Sequence, residues 1–373
     1  MKKKILIIIG VIAVIVIGSV LYFDNNGKQK NEIKVGVILP LTGPASDIGN
    51  NILDGIKISA DYYNKSSSSK IKLIIEDSKL DAKQAISAAN KLIEVDKVVS
   101  IIGLASSTEA LSVAPICERN KILMISATAS TPKLTDAGDY IFRIYPSDVY
   151  DGKTLADFSK KHKYKTVSIL YLNNDFGVGL KNVFIKDYIK SGGKIGVSEP
   201  FLSDDIDFRT QLTKIKNNHS DGLLVIAIDM QYLNIIKQIR ELRIQSQIMA
   251  PVTFDNSAII KNLGEAANGI VYTRPEYNTS MKSPDNLYFK KKYRELKGTE
   301  PSLLTALGFD NLSSFYIAFK KSNSCIDKTK ALLYKMNFNG VSGRIKFDKN
   351  GDIIPEIEVR VVTNKKSVLY EKK

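Results

Sequence analysis

An alternation of short apolar runs with amphipathic segments restricts this chain to a small set of folds. From residue 33 onward, segments with helical periodicity follow runs rich in β-branched residues, and one helix is predicted to open with Asp81 and Gln84 as N-cap and capping box. The four runs are IKVGVIL (33–39), IKLIIE (71–76), VVSIIG (98–103) and ILMIS (122–126). Such an alternation predicts a parallel sheet covered by helices on both faces.

The same alternation starts again after RIYPSD (143–148), which predicts a second α/β lobe. A chain of 373 residues also exceeds what one hydrophobic core usually serves. The second set of predicted strands comprises TVSILYL (166–172), a run near Lys194, GLLVIAI (222–228), QIMAP (247–251) and GIVYT (269–273), with helices after Asp175, from about Ile206 and from Asp229.

The C-terminal part of the chain breaks this order. Three helical segments follow one another without a strand between them, at about 284–297, 302–321 and 327–336. They precede two strand-like runs, GRIKF (343–347) and IEVRVVT (357–363), separated by DKNGD, in which Asn350-Gly351 is a hairpin signal.

Helices without strands, followed by strands without partners, suggest that the chain returns to sheets already formed. We therefore expect three crossings between the lobes, near Pro146, Pro275 and Gly340. The predicted domains are residues 33–145 with 276–338 for the first lobe, and 146–275 with 339–373 for the second.

Residues 1–32 hold a targeting or anchoring segment and a polar linker. The run from Ile5 to Phe23 is uncharged, follows three lysines and is long enough to span a bilayer as an apolar helix. A cleaved signal peptide and an uncleaved anchor both fit, and the length of the run favours the anchor. In either case the chain from Ile33 onward is expected on the extracytoplasmic face of the cell membrane.

The cysteines and the net charge exclude some classes of protein. The chain contains only Cys117 and Cys325, so no lipid can be attached to a cysteine near the N-terminus, and we expect both to be small buried hydrophobes. The formal net charge is +15, but the lysines are scattered singly and in pairs without interleaved aromatics. This pattern is typical of solvated helix faces and not of a nucleic-acid partner.

No catalytic or cofactor pattern is found. The two histidines, His162 and His219, lie in polar stretches, and no P-loop, GxGxxG or His/Cys metal cluster is present. Glu76 and Asp77 are adjacent at a strand end, where successive side chains point to opposite faces, so we interpret them as solvated or capping groups. We predict a protein that is not an enzyme and needs neither a metal nor another cofactor.

Small hydroxyl side chains follow two consecutive predicted strands. SIIGLASSTEA places Ser107 and Thr108 at a helix start, and LMISATASTP places Thr128 and Ser130 after the next strand. Hydroxyls together with backbone amides can bind a carboxylate without a full positive charge. Alternatively, Ser107 or Thr108 is only an N-cap and the second stretch only a loop.

Five motifs together resemble a known family. ILPLTGPASDIG, EDSKLDAKQAI, IIGLASSTEA, ILMISATASTPKLT and NNDFGVG are similar in order and spacing to the extracytoplasmic leucine/isoleucine/valine-binding proteins of ABC transporters. The resemblance implies the type I periplasmic-binding-protein fold, which has two Rossmann-like lobes, three crossover segments and a ligand between the lobes. The ligand-binding positions it implies are Ser107, the carbonyl of Thr128, Ser130 and the aromatic Phe176.

The chain departs from this family where the resemblance places two tyrosines and an acid. Ile48 and Ile228 stand near the tyrosine positions, and Val252 or Thr253 near the acid that pairs with a ligand ammonium. Asp229 or Asp255 could replace that acid, or each could be an N-cap.

The function that the resemblance implies is capture of a small carboxylate-bearing solute, such as a branched-chain or other amino acid, for an ABC permease in the membrane. The alternative is a sensor that reports ligand occupancy to a signalling partner.

Overall fold

The computed structural model describes residues 32–43, 45–228, 230–277 and 282–370. The predicted anchor at 5–23 and the candidate residue Asp229 lie outside these ranges. Within them, no helix combines the length and the apolar character needed to cross a bilayer.

The described strands form two large sheets and a separate hairpin. The strands are β1 (Glu32–Leu39), β2 (Lys70–Asp77), β3 (Ser100–Gly103), β4 (Leu123–Ser126), β5 (Ile141–Arg143), β6 (Thr166–Leu172), β7 (Lys194–Phe201), β8 (Gly222–Ile226), β9 (Gln247–Ala250), β10 (Val271–Pro275), β11 (Asn337–Asn339), β12 (Arg344–Lys346), β13 (Ile357–Thr363) and β14 (Lys366–Leu369).

Helices cover both faces of each large sheet. The described α-helices are α1 (Ser46–Ser66), α2 (Ala82–Glu94), α3 (Ser107–Asn120), α4 (Asp148–Lys161), α5 (Asp175–Lys190), α6 (Arg209–Asn218), α7 (Gln231–Glu241), α8 (Ser257–Leu263), α9 (Pro284–Lys297), α10 (Leu303–Lys321) and α11 (Ile326–Tyr334). The Asp81 carboxylate caps α2 by accepting from the Gln84 N–H at 2.9 Å, which confirms the predicted N-cap. The Asp81 N–H donates to the Ser78 carbonyl and not to Gln84, so the capping box is not formed.

The first sheet has the order β2–β1–β3–β4–β5, and all its pairs are parallel. One face packs against α1, α10 and α11, the other against α2 and α3. Helices α1 and α10 lie very close, since a Cβ added to Gly55 would come within 1.9 Å of the Thr305 carbonyl oxygen. Buried parallel strands explain why IKVGVIL is a near-continuous apolar run.

The second sheet has the order β14–β13–β10–β9–β8–β6–β7. Strands β6 to β10 pair in parallel, and the C-terminal strands β13 and β14 join the edge of the sheet antiparallel. Helices α6, α7 and α8 pack on one face, and α4 and α5 on the other. The two α/β lobes confirm the predicted fold class, including its parallel sheets.

The chain passes from the first sheet to the second after β5, leaves the second sheet after β10 and returns to it at β13. The third crossing was predicted near Gly340, with 339–373 in the second lobe. The structure corrects this boundary, because Ile345, Phe347 and Ile353 belong to the first hydrophobic core. The third crossing therefore lies between Ile353 and Ile357.

The hairpin expected at Asn350-Gly351 does not join the two predicted strands. A turn does form there, with Gly351 at a φ of 81°. The residues that pair across this turn are Phe347 and Ile353, which form an isolated antiparallel bridge. Strand β12 pairs with β11, whereas IEVRVVT (β13) pairs with β10 and β14.

The expectation that both cysteines are buried is wrong for one of them. Cys117, on α3, is buried in the core, whereas Cys325 is exposed before α11, and neither forms a disulfide. His162 packs against Phe158 with ring centroids 4.2 Å apart and ring planes tilted by 35°, and His219 is exposed at the end of α6.

Candidate ligand-binding site between the lobes

Two turns at the carboxyl edge of the first sheet are joined by hydrogen bonds. Strands β3 and β4 end side by side, with Gly103 opposite Ser126. The chain leaves β3 through positive φ angles at Gly103 (97°) and Leu104 (51°), a reversal that few side chains tolerate. The Ser126 hydroxyl then donates to the Leu104 carbonyl at 2.8 Å and accepts from the Ala129 N–H at 3.0 Å.

Ser107 is left free of the capping role that its position suggested. The N-cap of α3 is Ser106, whose hydroxyl accepts from the Glu109 N–H while the Glu109 carboxylate accepts from the Ser106 N–H. Ser107 is the first residue of the helix and is 4% exposed. Its hydroxyl oxygen accepts from the Thr131 N–H at 3.2 Å, so its proton can still be donated elsewhere.

Thr128 and Ser130 lie against the same turn. The Thr128 hydroxyl donates to the Ala105 carbonyl at 2.8 Å, and the buried Ser130 accepts, through its carbonyl, from the Asp148 N–H at 2.8 Å. The structure thus brings Ser107, Thr128 and Ser130 together at the sheet edge. These three residues are called the cradle below.

Helix α5 of the second lobe faces this edge. The Asp175 carboxylate accepts from the Thr108 hydroxyl at 3.1 Å and pairs with Lys133 at 3.0 Å, so both turns of the first lobe contact it. A Cβ added to Gly179 would lie 3.2 Å from Thr131 Oγ1, which shows how closely the lobes approach. Phe176 is half-buried and packs on the core beneath α4 and α5.

Two buried side chains that were not predicted as site residues fix the position of the cradle through hydrogen bonds. Arg143 is fully buried and donates through Nε and Nη2 to both oxygens of Asp352, at 2.6 and 2.7 Å, and through Nη1 to the Thr131 carbonyl at 2.7 Å. Asn311 on α10 accepts from the Gly103 N–H at 2.8 Å and donates to the Ile125 carbonyl at 2.9 Å. The sequence could have indicated both residues, because an Arg at the end of an apolar strand and an Asn within an apolar helix are unusual.

Two further acids lie beside the cradle, on the first turns of α4. Asp148 is 1% exposed and Asp151 is 4% exposed. Burial raises the pKa of Asp148 well above its usual range, the nearby Asp151 carboxylate raises it further, and Ser130 and Arg143 only partly oppose this. Burial also raises the pKa of Asp151 to about 6.

The comparisons with known proteins agree with this fold. A family model described as periplasmic binding protein matches residues 32–366. This chain belongs to that family. Within the family it is similar to leucine/isoleucine/valine-binding proteins.

Solved structures show how far the similarity extends. A leucine binding protein from Thermotoga maritima matches with a TM-score of 0.84 and 30% identity, over 91% of this chain and 98% of that one. A Streptococcus pneumoniae branched-chain amino acid binding protein in complex with isoleucine matches with a TM-score of 0.81 and 25% identity, over 90% and 97%. A Rhodopseudomonas palustris solute binding protein of an ABC transporter, in complex with 3,4-dihydroxybenzoic acid, matches with a TM-score of 0.81 and 25% identity. The match covers 89% of this chain and 93% of that one.

In this binding protein, Asp255 does not cap α8, because the N-cap is Asn256. The Asp255 carboxylate pairs with Arg274 at 3.0 Å and accepts from the Tyr272 hydroxyl at 2.6 Å. Thr253 is one of the positions implied for the ammonium-binding acid, and its hydroxyl donates to the Ala227 carbonyl at 2.7 Å. Asp255 is thus already paired within the second lobe, and Asp229 lies outside the described residues.

The acidic residues at the end of β2 have structural roles. Asp77 organises the loop after β1 by accepting from the Leu41 N–H at 2.8 Å and the Thr42 hydroxyl at 2.6 Å, and Glu76 pairs with Lys91. Ile48 and Ile228, which stand near the implied tyrosine positions, are half-buried against the first and second cores. Within the described ranges, no three His, Cys, Asp or Glu side chains converge to hold a metal ion.

Proposed function

We propose that this protein is the extracytoplasmic receptor of an ABC importer, which closes its lobes on a small carboxylate-bearing solute and delivers it to a membrane permease. The observation that carries the proposal is the position of Ser107, Thr128 and Ser130 beside the carboxyl ends of β3 and β4, where α5 of the other lobe contacts Thr108 and approaches Thr131. Ligands of open α/β sheets bind at such strand ends. Membership of the periplasmic binding protein family supports the same function.

The cradle suits a carboxylate that must be released again. Ser107 and Ser130 offer hydroxyl protons, the first turn of α3 adds unpaired backbone N–H groups, and Thr128 offers its carbonyl. Neutral donors satisfy an anion without leaving a buried charge behind when the site opens. Phe176 supplies apolar cover from the second lobe, and Asp229 and Asp255 stay predictions for a cation partner.

The relatives support a carboxylate-bearing solute, because one of them is in complex with isoleucine and another with 3,4-dihydroxybenzoic acid. Within that class, the solute we propose is a branched-chain or other amino acid. The proposed location is the outer face of the cell membrane, with residues 5–23 as the anchor. An anchored receptor stays close to its permease.

Removing a cradle hydroxyl is expected to weaken solute binding. A hydrogen bond to a charged group contributes about 1.5–3 kcal/mol, so Ser107→Ala and Ser130→Ala should each raise Kd roughly ten- to a hundredfold. Calorimetry with a solute found by thermal-shift screening measures the change. Ser112→Ala is the matched control, because that hydroxyl on the same helix bonds only the Thr108 carbonyl.

Equal affinity of wild type, Ser107→Ala and Ser130→Ala for a carboxylate solute would place the carboxylate site elsewhere. Turnover of the bound solute would instead point to an enzyme.

A further inference from the structure

Helix α5 of the second lobe meets the first lobe through two residues spaced four apart. Asp175 is the first residue of the helix and Gly179 lies one turn further on, so both are on the same side of it. Their partners in the first lobe are Thr108 on α3 and the loop 131–133. The contact of Asp175 and Gly179 with these partners is called the α5 contact below.

The Asp175 carboxylate bonds to both turns that carry the cradle. Its Oδ2 accepts from the Thr108 hydroxyl at 3.1 Å, and its Oδ1 pairs with Lys133 Nζ at 3.0 Å. Thr108 directly follows Ser107 in the chain, and Lys133 follows Ser130 closely. In the part of the chain that the structure describes, no other side chain bonds to the Asp175 carboxylate. Moving the lobes apart would therefore leave it to water alone.

Gly179 lets the two lobes approach closely at the next turn of the helix. A Cβ added there would lie 3.1 Å from Pro132 Cδ and 3.2 Å from Thr131 Oγ1, both of which belong to the first lobe. These distances are shorter than ordinary van der Waals contacts, so an added methyl group would push the neighbours away. The lobes can adopt this spacing only because residue 179 has no side chain.

Opening of the cleft has to break the α5 contact. The chain connects the lobes through three crossing segments, and a hinge motion at these segments would carry α5 away from the first lobe. Interactions that exist in the closed form and not in the open form shift the equilibrium toward closure by their own free energy. The affinity for a solute that needs closure then includes the free energy of the α5 contact.

We propose that Asp175 and Gly179 are positioning residues, which set the affinity for the solute through the closed arrangement of the lobes and not through contact with the solute. The inference rests on the proposed function and adds residues outside the cradle that determine how long the solute is held. A solute enters the open form, so weakening the α5 contact should mainly increase the dissociation rate.

The first experiment places a methyl group between the lobes of the full-length protein. The probes are the standard L-amino acids, benzoate and 4-hydroxybenzoate, screened by thermal shift and measured by calorimetry. Gly179→Ala should raise Kd about tenfold or more, because the methyl group holds the lobes apart. Asn182→Ala, at an exposed site on the same helix, is the matched control and should bind like wild type.

The solute-free protein distinguishes this role from a purely structural one. Ala is a better helix former than Gly, so Gly179→Ala should keep or raise the midpoint of urea denaturation if the open lobes leave room for the methyl group. A contact that persists in the open form would instead lower that midpoint, as overpacking does.

A double-mutant cycle tests the ion pair. Asp175→Asn and Lys133→Gln should each raise Kd only about two- to fivefold, because the Lys133 side chain is 66% exposed. The double variant should bind no more weakly than the weaker single variant, since both changes remove one interaction. The control is the pair of Lys214 and Glu199, 2.8 Å apart within the second lobe, where Lys214→Gln should leave Kd unchanged.

Two results would overturn the inference while leaving the receptor function intact. One is wild-type affinity of Gly179→Ala for a solute that the wild type binds. The other is a lowered urea midpoint of solute-free Gly179→Ala, which would show that the contact exists in both forms. Failure of the wild type to bind any of the probes would count against the inference and the proposed function together.

Discussion

Gly308 shows what a single missing side chain does in this protein. An added Cβ there would approach the Ile52 carbonyl oxygen to 2.0 Å, and Gly55 makes the reciprocal approach to Thr305. The two glycines let α1 and α10 touch backbone to backbone over the first sheet. Helix α10 can then reach the strand ends, where its Asn311 holds Gly103 and Ile125.

Replacing Gly308 by Ala should therefore destabilise the protein, although Ala is the better helix former. Overpacking of this kind typically costs about 1–3 kcal/mol in the free energy of unfolding, which urea denaturation measures. Lys320→Ala, at an exposed site on the same helix, is the control and should change stability by less than about 0.5 kcal/mol. Unchanged stability in Gly308→Ala would show that the helices can separate without loss.

At the residue scale, the sequence predicted which hydroxyls gather but not which acids are buried. Ser107, Thr128 and Ser130 stood out because small polar residues directly follow two apolar runs. Asp148 in RIYPSD resembles an ordinary helix-start residue, and no local pattern shows that the second lobe buries it to 1% exposure. Burial of that kind depends on contacts between segments distant in the chain.

At the level of secondary-structure elements, the loop from Thr128 to Thr131 is held in position by the segment that precedes the third crossing. Arg143 at the end of β5 bridges the two, binding the Thr131 carbonyl and both oxygens of Asp352, while its N–H donates to the Gly351 carbonyl at 3.1 Å. The cradle is thus positioned by residues more than two hundred positions further along the chain.

Arg143→Met should lower the free energy of unfolding by about 3–5 kcal/mol, because it leaves the Asp352 carboxylate buried without its partner. Urea denaturation measures the loss, and Arg143→Met combined with Asp352→Leu should recover part of it. The control is Arg209→Met, whose pairs with Asp207 and Glu241 are exposed and should contribute less than about 1 kcal/mol. Equal losses at both arginines would contradict the role given to Arg143.

Element prediction failed where pairing is long-range. The Asn350-Gly351 signal correctly marks a turn, but the partners of β12 and β13 are chosen by distant strands and not by the turn. Strands β5, β11 and β14 were missed because runs of three or four residues are usually too short to show a period. The longer runs, such as β1 and β6, were recognised because their apolar pattern is continuous.

For the whole molecule, buried carboxyl groups make stability depend on pH near neutrality, and three of them have the clearest effect. Burial raises the pKa of Asp148 well above its usual range, that of Asp151 to about 6, and that of Asp310 to about 7. In the unfolded chain these groups titrate near their ordinary pKa of about 3.9. The folded state therefore binds more protons than the unfolded state between these values, so its stability falls as pH rises.

Lowering the pH from about 8 to about 5.5 should accordingly raise the free energy of unfolding of the solute-free protein, by on the order of a few kcal/mol. Urea denaturation at a series of pH values measures the slope. Asp151→Asn should flatten it, and Asp157→Asn, exposed on the same helix, should leave it as in wild type. A stability that rises with pH over this interval would contradict the assignment.

The late return of the chain to the first lobe also matters for synthesis. Ile345, Phe347 and Ile353 complete a core that begins at Ile33, so the ribosome has made almost the entire polypeptide before that lobe can close. Until then the first lobe of the nascent chain cannot form a folded domain that would block a translocation channel. A protein whose proposed working place is outside the membrane gains from folding only after it has passed through.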